Sequence, residues 1–461
     1  MSLPEYLYYT ETLCEWLQSI PRSWDLLKGK RIFSQRKERA DTSDEQLAAS
    51  QAYGILPQKK MMEITGNKVM LALGGTESFR RVAQDDFVIS LRSFEGGIEH
   101  SAYDGCVSPA YTVLTSNREI HPWFYRYLLK CGSYVSALQA STDSLRDGKS
   151  VTFEQFGDIA LPYPSVGEQR IIACFLDHET AKIDTLIHEQ KRLIELLQEK
   201  RQAMISHAVT KGLDPNVPMK DSGVEWLGEV PAHWKVSKLA HYASVLTGFP
   251  FPSASFSYDN SDVRLLRGTN VGVGSLKWDD TVYWAMVDDD SLKGYLMESG
   301  QIVLGMDRPW IKDGVRVAKV GKEDLPCLLL QRVAAIRSSN NLQDEYLYLL
   351  LKSELFKAYI EPDLTGVSVP HISPEQILSF QIPLPNVAEQ MRVSDFVMAN
   401  LNSISSLLDQ SGESIDLLQE RRSAIISAAV TGKLDVRDWQ PPAVEGAFEE
   451  EVRQAGMEAT V

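Results

Sequence analysis

The stretch Pro162-Tyr-Pro-Ser-Val-Gly-Glu-Gln169 returns 221 residues later as Pro383-Leu-Pro-Asn-Val-Ala-Glu-Gln390. The likeness continues without a gap, so that residues 162–214 align with 383–435 and 22 of the 53 positions are identical. A repeat of this length indicates that one structural unit is used twice. The repeat therefore indicates how the chain is organised, independently of any single side chain.

Each copy of the repeat predicts one long helix. Ser165 and Asn386 stand three residues before Glu168 and Glu389, which is the spacing of a capping box. Apolar residues then recur at steps of three and four, near a heptad period, with polar residues between them. A long amphipathic helix is stable only when its apolar face is packed, so we expect each helix to pack on the other. Two ordinary core helices would also explain the apolar stripe, but not its duplication together with the caps.

The apolar stripes of the two helices supply candidates for pairing and for docking a partner. The sequence alone does not divide these residues between the two roles. The candidates are Ile183, Leu186, Ile194, Leu197, Ile404, Leu407, Ile415 and Leu418.

A second, shorter repeat lies upstream of each long one. Glu15-Trp-Leu-Gln-Ser-Ile-Pro-Arg-Ser-Trp24 resembles Glu225-Trp-Leu-Gly-Glu-Val-Pro-Ala-His-Trp234. The stretches between the short and long repeats barely resemble each other, although both contain strand, glycine-rich loop, strand and helix patterns. We therefore predict an α+β fold with an internal repeat. The predicted segments are a globular domain at 1–165, a helix at 166–212, a second globular domain at 213–385, a helix at 386–435 and an acidic flexible tail at 436–461.

Individual elements can also be predicted inside the two variable stretches. Alternating or continuous apolar runs indicate strands, and three-to-four spacing indicates helices. The predicted strands are 86–91, 109–114, 301–306, 327–330 and 333–336, and the predicted helices are 122–130 and 345–352.

Composition narrows the class of protein. The 461 residues are 44% hydrophobic and 24% charged, which is typical of a globular protein, and the net charge is −15. No apolar run approaches the roughly 20 residues that span a bilayer, and the first residues lack a signal-peptide pattern. The five cysteines are scattered and odd in number, which argues against a disulfide framework or a structural zinc site. We expect a cytoplasmic protein without a membrane segment.

Catalytic patterns fail one by one. His178-Glu179 and His188-Glu189 begin like a zinc-protease motif, but the fifth residue is not histidine in either case. Gly148-Lys149-Ser150 lacks the earlier glycine of a phosphate-binding loop. The chain contains no Asn-Pro-Pro-Tyr or Asp-Pro-Pro-Tyr sequence, which an amino-methyltransferase would normally carry. The dipeptide Pro362-Asp363 is not followed by the acidic-x-Lys pattern of a common nuclease motif. The chain is therefore predicted to be non-catalytic, with no metal site.

The duplicated motifs resemble those of a known family. Met219 to Trp234 is similar to the domain-opening motif of specificity subunits of type I restriction–modification systems. Pro383 to Gln390, followed by a long helix ending in Ala428-Ala-Val-Thr431, is similar to their domain-closing motif. Both motifs occur twice and in family order, over residues 10–435. The first opening motif departs from the pattern, since Thr10-Glu-Thr-Leu-Cys14 replaces Lys220-Asp-Ser-Gly-Val224.

The resemblance implies a function and a set of partners. Each globular domain would be a target recognition domain that reads half of a split, asymmetric site on double-stranded DNA. The two helices would pair antiparallel as a coiled-coil spacer and dock two DNA adenine methyltransferase subunits. Two ATP-dependent restriction subunits, which act as translocase and nuclease, can join such a complex. S-adenosylmethionine, ATP and Mg would then be bound by the partners, and no cofactor by this chain.

Basic residues in the two domains are the candidates for DNA contact, because arginine reads guanine and lysine positions phosphates. For any one of them a solvated surface charge is the simpler interpretation, and the polar loop 365–371 fits a connector as well as a contact. Trp278, Tyr283 and Trp284 are interpreted as core rather than as base-stacking residues. The candidates are Lys28, Lys30, Arg31, Lys68, Arg80, Arg81, Arg92, Arg146, Lys149, Arg264, Arg267, Lys277, Arg308, Lys312, Arg316 and His371.

The acidic balance keeps an alternative open. A net charge of −15 repels phosphate and favours a two-domain scaffold that joins proteins through its paired helices and never touches DNA. Counted by segment, the two variable domains carry −2 and −6, so DNA binding would depend on local basic patches. Steep salt dependence of DNA affinity would distinguish the two hypotheses.

Overall fold

A computed structural model describes residues 4–41, 43–51, 53–66, 78–91, 93–141, 151–286, 290–339, 341–364 and 370–441. The chain forms two compact units. Unit 1 consists of Met1–Gln190 and Glu413–Val461, and unit 2 of Lys191–Gly412. Both boundaries fall inside long helices, so each unit contains one variable domain, the first half of one helix and the second half of the other. The five segments predicted from the sequence divide the chain differently and stay a prediction.

Unit 1 is a mixed α/β structure. Its strands are β1 (Tyr9–Cys14), β2 (Leu17–Pro21), β3 (Asp25–Lys28), β4 (Phe33–Gln35), β5 (Leu47–Ser50), β6 (Gly54–Pro57), β7 (Arg80–Val82), β8 (Phe87–Ile89), β9 (Glu99–His100), β10 (Gly105–Val107), β11 (Thr112–Ser116) and β12 (Ala160–Tyr163). Its helices are α1 (Gly29–Ile32), α2 (Gln58–Thr65), α3 (Ser93–Gly96), α4 (Pro122–Leu128), α5 (Gly132–Ala140), α6 (Phe153–Asp158) and the start of α7 (Val166–Lys211).

Unit 2 has the same mixed character. Its strands are β13 (Met219–Asp221), β14 (Glu229–Pro231), β15 (Lys235–Lys238), β16 (Ala243–Thr247), β17 (Val263–Leu266), β18 (Tyr283–Trp284), β19 (Ile302–Gly305), β20 (Trp310–Ile311), β21 (Gly314–Val315), β22 (Val317–Lys319), β23 (Cys327–Leu329), β24 (Val333–Ser338) and β25 (Gln381–Leu384). Its α-helices are the end of α7, α8 (Asp344–Lys352), α9 (Glu354–Leu364), α10 (Pro374–Ser379) and the start of α11 (Val387–Val430). Short 3-10 turns cover Leu239–His241, Ser253–Ser255, Gly268–Asn270 and Asp290–Tyr295.

The central sheets of the two units have the same topology. The order is β4-β11-β8-β9 in unit 1 and β16-β24-β19-β22 in unit 2, with every neighbouring pair antiparallel. Each unit also pairs its opening strand with its closing strand, β3 with β12 and β15 with β25. The strand, loop, strand and helix order predicted for both variable stretches is therefore present in both, although most predicted bounds shift by one to three residues.

Each central sheet separates two apolar cores, because side chains alternate between the faces of a strand. In unit 2, Ile302 and Leu304 pack on the helical side, whereas Val303 between them packs in the opposite core. In unit 1, Phe87 packs on the helical side and Val88 in the opposite core. The sheets are buried on both faces, which explains why their strands read as continuous apolar runs.

The long helices pair inside each unit, start against end, as in an antiparallel coiled coil. In unit 1, Ile172 and Leu176 near the start of α7 share a core with Ala429 near the end of α11. In unit 2, Val209 near the end of α7 shares a core with Val397 near the start of α11. The predicted fold class, α+β with an internal repeat and two paired long helices, is confirmed.

The repeated Glu-Gln pair fastens each variable domain to its helix. Glu168 accepts hydrogen bonds from the Trp24 indole at 2.9 Å and the Tyr6 hydroxyl at 2.6 Å. Glu389 accepts one from the Trp234 indole at 3.0 Å. Ser165 and Asn386 cap the helix starts as predicted, through the backbone N–H of these glutamates. The glutamate carboxylates, however, bind the opening motif, whereas in the predicted capping box they would accept from the backbone N–H of Ser165 and Asn386.

The glutamines beside these glutamates make a matching set of bonds. Gln169 accepts from the backbone N–H of His121 and donates to the Pro164 carbonyl. Gln390 accepts from the N–H of Gln343 and donates to the Pro385 carbonyl. Each glutamine thus joins the start of a domain helix, α4 or α8, to the end of the closing strand.

The first residues of the predicted flexible tail pack on unit 1. Val436 is buried, and the Trp439 ring lies 5.6 Å from Phe175 and 5.5 Å from His178. The prediction of a flexible tail is therefore wrong for residues 436–439. Residues 442–461 lie outside the described part of the chain.

Candidate nucleic-acid interface

A polar corner lies where strand β19 ends and strand β24 begins. It contains Asp307, Arg308, Arg332 and His371, and we call it the His371 corner. The His371 Nδ1 lies 2.7 Å from an Asp307 carboxylate oxygen, and an Arg332 guanidinium nitrogen lies 3.2 Å from the same imidazole atom. Backbone bonds fix the corner, since the N–H of Arg308 donates to the Pro370 carbonyl at 2.6 Å.

Two arginines of this corner have unusual backbone conformations. Arg308 has φ +46° and Arg332 has φ +73°. Non-glycine residues rarely adopt positive φ, and such strain concentrates at functional sites. Within the described residues a single other non-glycine residue, Asp85, shares this feature. The strain therefore marks the His371 corner as a candidate site independently of its charge.

The His371 corner presents groups suited to reading bases. Arg308 and Arg332 are exposed and His371 is half-buried. An arginine fork can donate two hydrogen bonds to one guanine edge, and imidazole can donate or accept. The sequence predicted Arg308 and His371 but missed Arg332. The sequence feature that could have indicated Arg332 is the polar pair Gln331-Arg332, which separates two apolar strands.

Arg316 lies beside the corner but uses its donors internally. Its Nε donates to the Val271 carbonyl and its Nη1 to the Asp307 carbonyl, each at 2.9 Å, and Nη2 donates to Gly268. Burial lowers the pKa of the guanidinium. Arg316 therefore positions the loop after Gly268 and the backbone of Asp307, and leaves little of its fork for DNA.

Two further arginines of unit 2 are engaged within the unit. Arg264 stacks on the Trp278 ring, 5.0 Å from its centroid, and donates to the Glu323 and Leu325 carbonyls. Arg267 pairs with Asp280 at 2.8 Å. Trp278, Tyr283 and Trp284 are half-buried and two of them contact apolar cores, in line with the core interpretation. The candidates Lys277 and Lys312 are exposed and lie on loops.

The basic patch predicted in unit 1 is partly neutralised. Lys28 and Lys30 share one carboxylate, Asp158, at 3.2 and 2.8 Å. Hydrogen bonds from both ammonium groups hold the pKa of Asp158 below its usual value. Arg31 is exposed at the end of α1.

The remaining candidates of unit 1 fall into two groups. Arg80 and Arg81 lie on strand β7, and Arg81 is 3.8 Å from Glu38. Lys68, Arg92, Arg146 and Lys149 lie outside the described residues.

A second polar cluster in unit 1 is buried rather than presented. His100 binds Asp85 at 2.9 Å, and Glu99 pairs with Lys130 at 2.8 Å. Burial lowers the pKa of His100 and raises the pKa of Glu99, in each case against the effect of the partner. Both shifts favour uncharged groups, so this cluster is suited to holding the sheet together rather than to contacting phosphate.

The eight helix candidates separate into packing and exposed residues. Ile183, Leu197 and Ile404 are buried, while Leu186 and Leu407 are about half exposed, at 51% and 46%. The other three, Ile194, Ile415 and Leu418, are half-buried. Three exposed leucines were not selected from the sequence. These are Leu193, Leu196 and Leu417, each of which lies beside or near a packed apolar residue of the same stripe.

The described part of the chain offers no metal site or membrane-spanning helix. No group of three or more histidine, cysteine or acidic side chains there could hold a metal ion. None of the described helices is long and apolar enough to cross a membrane. All five cysteines are free thiols.

Comparison with known proteins shows which family the chain resembles. The model of the type I restriction modification DNA specificity domain matches residues 281–415, which include the His371 corner. The MjaVIII specificity subunit of Methanocaldococcus jannaschii is 29% identical over 287 residues, 61% of this chain and 64% of that protein. The EcoAI specificity subunit of Escherichia coli is 33% identical over 202 residues, 44% of this chain and 33% of that protein. The aligned stretches cover less than two thirds of either relative.

Solved structures agree with this likeness. The HsdS subunit of Thermoanaerobacter tengcongensis matches with a TM-score of 0.55 and 17% identity, covering 90% of this chain and 98% of that one. A chain from a structural study of complex assembly in the type I R-M system matches with a TM-score of 0.66 and 17% identity, covering 90% and 99%. The chain resembles type I specificity subunits in sequence and in fold. The resemblance predicted from the duplicated motifs is therefore confirmed.

Proposed function

We propose that the chain is the DNA sequence-recognition subunit of a type I restriction–modification complex. The observation that carries this proposal is the match of residues 281–415 to a DNA specificity domain, inside a unit whose framework occurs twice. Each unit supplies one recognition domain, and each domain reads one half of a bipartite, asymmetric site. The chain itself is not an enzyme.

The His371 corner is proposed to read bases in unit 2. Its exposed arginines sit on strained backbone, which holds them in place before DNA arrives. The exposed loop residues Lys277 and Lys312 are suited to phosphate contacts, which fix the register of the protein on the duplex. Arg31 and Arg81 are the corresponding exposed or half-exposed candidates in unit 1.

The long helices are proposed to act as spacer and docking surface. Exposed leucines on α7 and α11, such as Leu186, Leu196 and Leu417, offer an apolar face to helices of two adenine methyltransferase subunits. Two ATP-dependent restriction subunits complete a restriction complex. S-adenosylmethionine, ATP and Mg belong to those partners in this proposal.

The proposal is tested by methylome sequencing of cells that express the methyltransferase with and without this chain. We expect N6-methyladenine at a split motif, two short half-sites around a fixed spacer, only when the chain is present. Arg332→Ala should change or relax one half-site and leave the other half unaltered, since the two domains read independently. A continuous single motif, or methylation that does not depend on the chain, would contradict the proposal.

The competing scaffold hypothesis predicts a different outcome. A scaffold would co-purify with its partners without salt-dependent DNA binding. A footprint on duplex DNA at several salt concentrations, made with the methyltransferase complex, therefore distinguishes the two functions.

A further inference from the structure

Unit 2 contains a group of three basic residues around one tyrosine, and two of the three have no acidic partner among the described residues. The group consists of Arg201 on α7, Lys319 on β22, and Tyr348 and Lys352 on α8, with Gly274 above them, and we call it the Lys352 corner. The ammonium groups of Lys319 and Lys352 lie 5.2 and 5.3 Å from the centre of the Tyr348 ring. Lys319 pairs with Glu345. No carboxylate of the described residues forms an ion pair with Arg201 or Lys352.

Lys352 is buried in this corner, with 6% of its surface exposed. Within the described part of the chain, its ammonium group has one polar contact, the Tyr348 hydroxyl at 3.5 Å. Burial, and then the nearby Arg201, lower the pKa of Lys352 to about 8. Buried ammonium groups are ordinarily paired, because leaving water is costly for a charge. The corner thus holds charge that an anion would stabilise.

In unit 1, the arginine at the equivalent position is neutralised by an acidic residue. Arg201 corresponds to Arg422 at the repeat offset of 221, and Arg422 pairs with Asp184 at 2.8 Å. The position equivalent to Asp184 is Ser405 in unit 2. One acid is therefore missing beside the unit 2 arginine.

The same comparison applies to the tyrosine. Tyr348 corresponds to Tyr127, whose hydroxyl donates to Asp177 at 2.7 Å. The position equivalent to Asp177 is Met398. Lys352 itself replaces Cys131, so unit 2 has lost two acids and gained one base at this place.

Gly274 packs closely against these charges. A Cβ atom there would lie 3.1 Å from the Lys352 Nζ, 3.6 Å from the Tyr348 hydroxyl and 3.9 Å from an Arg201 nitrogen. The residue has φ +87°, a conformation that glycine adopts without strain. Its N–H donates to the carbonyl of Val317, next to Arg316. The loop over the Lys352 corner is thus continuous with the loop that Arg316 holds beside the His371 corner.

We propose that the Lys352 corner binds a phosphate of the DNA backbone through Arg201 and Lys352. This inference rests on the proposed DNA-binding function and adds a contact that carries no base information. A phosphodiester oxygen accepts from both lysine and arginine, and both donors lie within 4 Å of the same point beside Gly274. DNA is favoured over an acidic protein side chain because the covering loop is shared with candidate base-reading residues.

The test measures DNA affinity against salt concentration for the full chain in its methyltransferase complex. The slope of log affinity against log salt is negative. Arg201→Gln and Lys352→Met should each make it shallower by about 0.9, the value of one phosphate contact. Affinity should fall several-fold and by the same factor on cognate and unrelated duplexes. Gly274→Ala should act in the same direction, and Arg201→Lys should retain most of the slope.

Arg422→Gln is the matched control, because it removes the equivalent arginine where Asp184 already neutralises it. Its slope should equal that of the wild type. Folded Arg201→Gln and Lys352→Met proteins with an unchanged slope would overturn the inference. So would an unchanged slope combined with loss of methyltransferase binding, since the corner would then hold a partner's carboxylate. A wild-type complex without salt-dependent binding would instead refute the proposed function itself.

Discussion

Unit 1 and unit 2 use the same bonds to hold their domains together but distribute their charges differently. Trp24 and Trp234 both donate to the glutamate that starts a long helix. At the other end of those helices, Arg422 has an acidic partner in unit 1, whereas Arg201 has none among the described residues of unit 2. The framework was copied together with its sequence, while the surroundings of the copied arginine diverged.

The difference shows which repeated residues serve structure. Framework bonds are made by residues that are identical in both copies, such as the tryptophan, the Glu-Gln pair and the tyrosine that donates to Pro162 or Pro383. The Lys352 corner differs from its unit 1 counterpart in the residues around a shared arginine and tyrosine, since Asp184 and Asp177 are replaced by Ser405 and Met398. A framework residue that matches its counterpart is therefore expected to affect stability, and a charged residue whose surroundings differ is expected to affect binding.

The largest effect is expected from breaking the framework. Trp234→Ala removes a fully buried ring and leaves the Glu389 carboxylate without its indole donor. Removing a buried tryptophan costs about 3–5 kcal/mol, and we expect Trp24→Ala to cost a similar amount in unit 1. Denaturant unfolding of the full chain measures both.

Tyr258→Ala serves as the control for these variants, because the Tyr258 side chain is 82% exposed. Its free energy of unfolding should change by less than about 0.5 kcal/mol. Equal stability of Trp234→Ala and wild type would show that the tryptophan–glutamate bond does not hold the domain to its helix.

A smaller effect of opposite sign is expected from Lys352→Met. The folded-state pKa of Lys352 is about 8, lowered from 10.5, so the unfolded chain binds more protons between these pH values. The free energy of unfolding of the wild type should therefore rise as pH increases through that window. Below pH 8 the whole cost is present, up to about 3 kcal/mol at 1.36 kcal/mol per pKa unit.

Methionine fills similar volume without the charge, so Lys352→Met should be more stable than wild type near pH 7. The difference should shrink as pH approaches 10.5, and urea unfolding at several pH values measures it. Lys357→Met, on the neighbouring helix α9, is the control, since Lys357 pairs with Glu354 at the surface. A Lys352→Met protein that is less stable than wild type at pH 7 would argue that the ammonium group is satisfied in the free protein.

The sequence alone predicts the framework well, because the repeat carries it. Both long helices, the succession of strand, loop, strand and helix in each variable stretch, and the N-cap residues follow from spacing and periodicity. The repeat also extends further upstream than its letters suggested. Thr152 and Ser373 begin equivalent capping boxes, and Tyr125 and Tyr346 make equivalent bonds, all at the offset of 221. These matches are short and lie between loops of unrelated sequence, so they are not recognisable from the sequence alone.

The candidate site was harder to predict, because it depends on contacts that sequence spacing does not contain. Arg316 and Arg264 are of the residue type expected to contact DNA. In the folded chain, however, they donate to backbone carbonyls that are distant in sequence. Arg332 was missed because its strained backbone arises from the turn between β23 and β24. Lys352 read as a helix-end residue, and only packing shows that it is buried.

The smallest expected effect sharpens the comparison most directly. Ser405→Asp gives unit 2 the acid that Asp184 provides in unit 1. An ion pair at this exposed position is worth about 0.3–1 kcal/mol, so the free energy of unfolding should rise by that amount at low salt and not at high salt. Arg422→Gln should cost unit 1 a similar amount, since Asp184 and Arg422 are both partly exposed.

The decisive measurement combines Ser405→Asp with Arg201→Gln. If the new aspartate acts through Arg201, its stabilising effect should vanish in the double variant, and a double-mutant cycle measures this coupling. The same aspartate should also lower the salt slope of DNA binding, because it would occupy the arginine that the phosphate needs. An aspartate that stabilises equally with and without Arg201 would mean that the two units do not superpose at this position. Asp184 and Arg422 would then say nothing about the charges of the Lys352 corner.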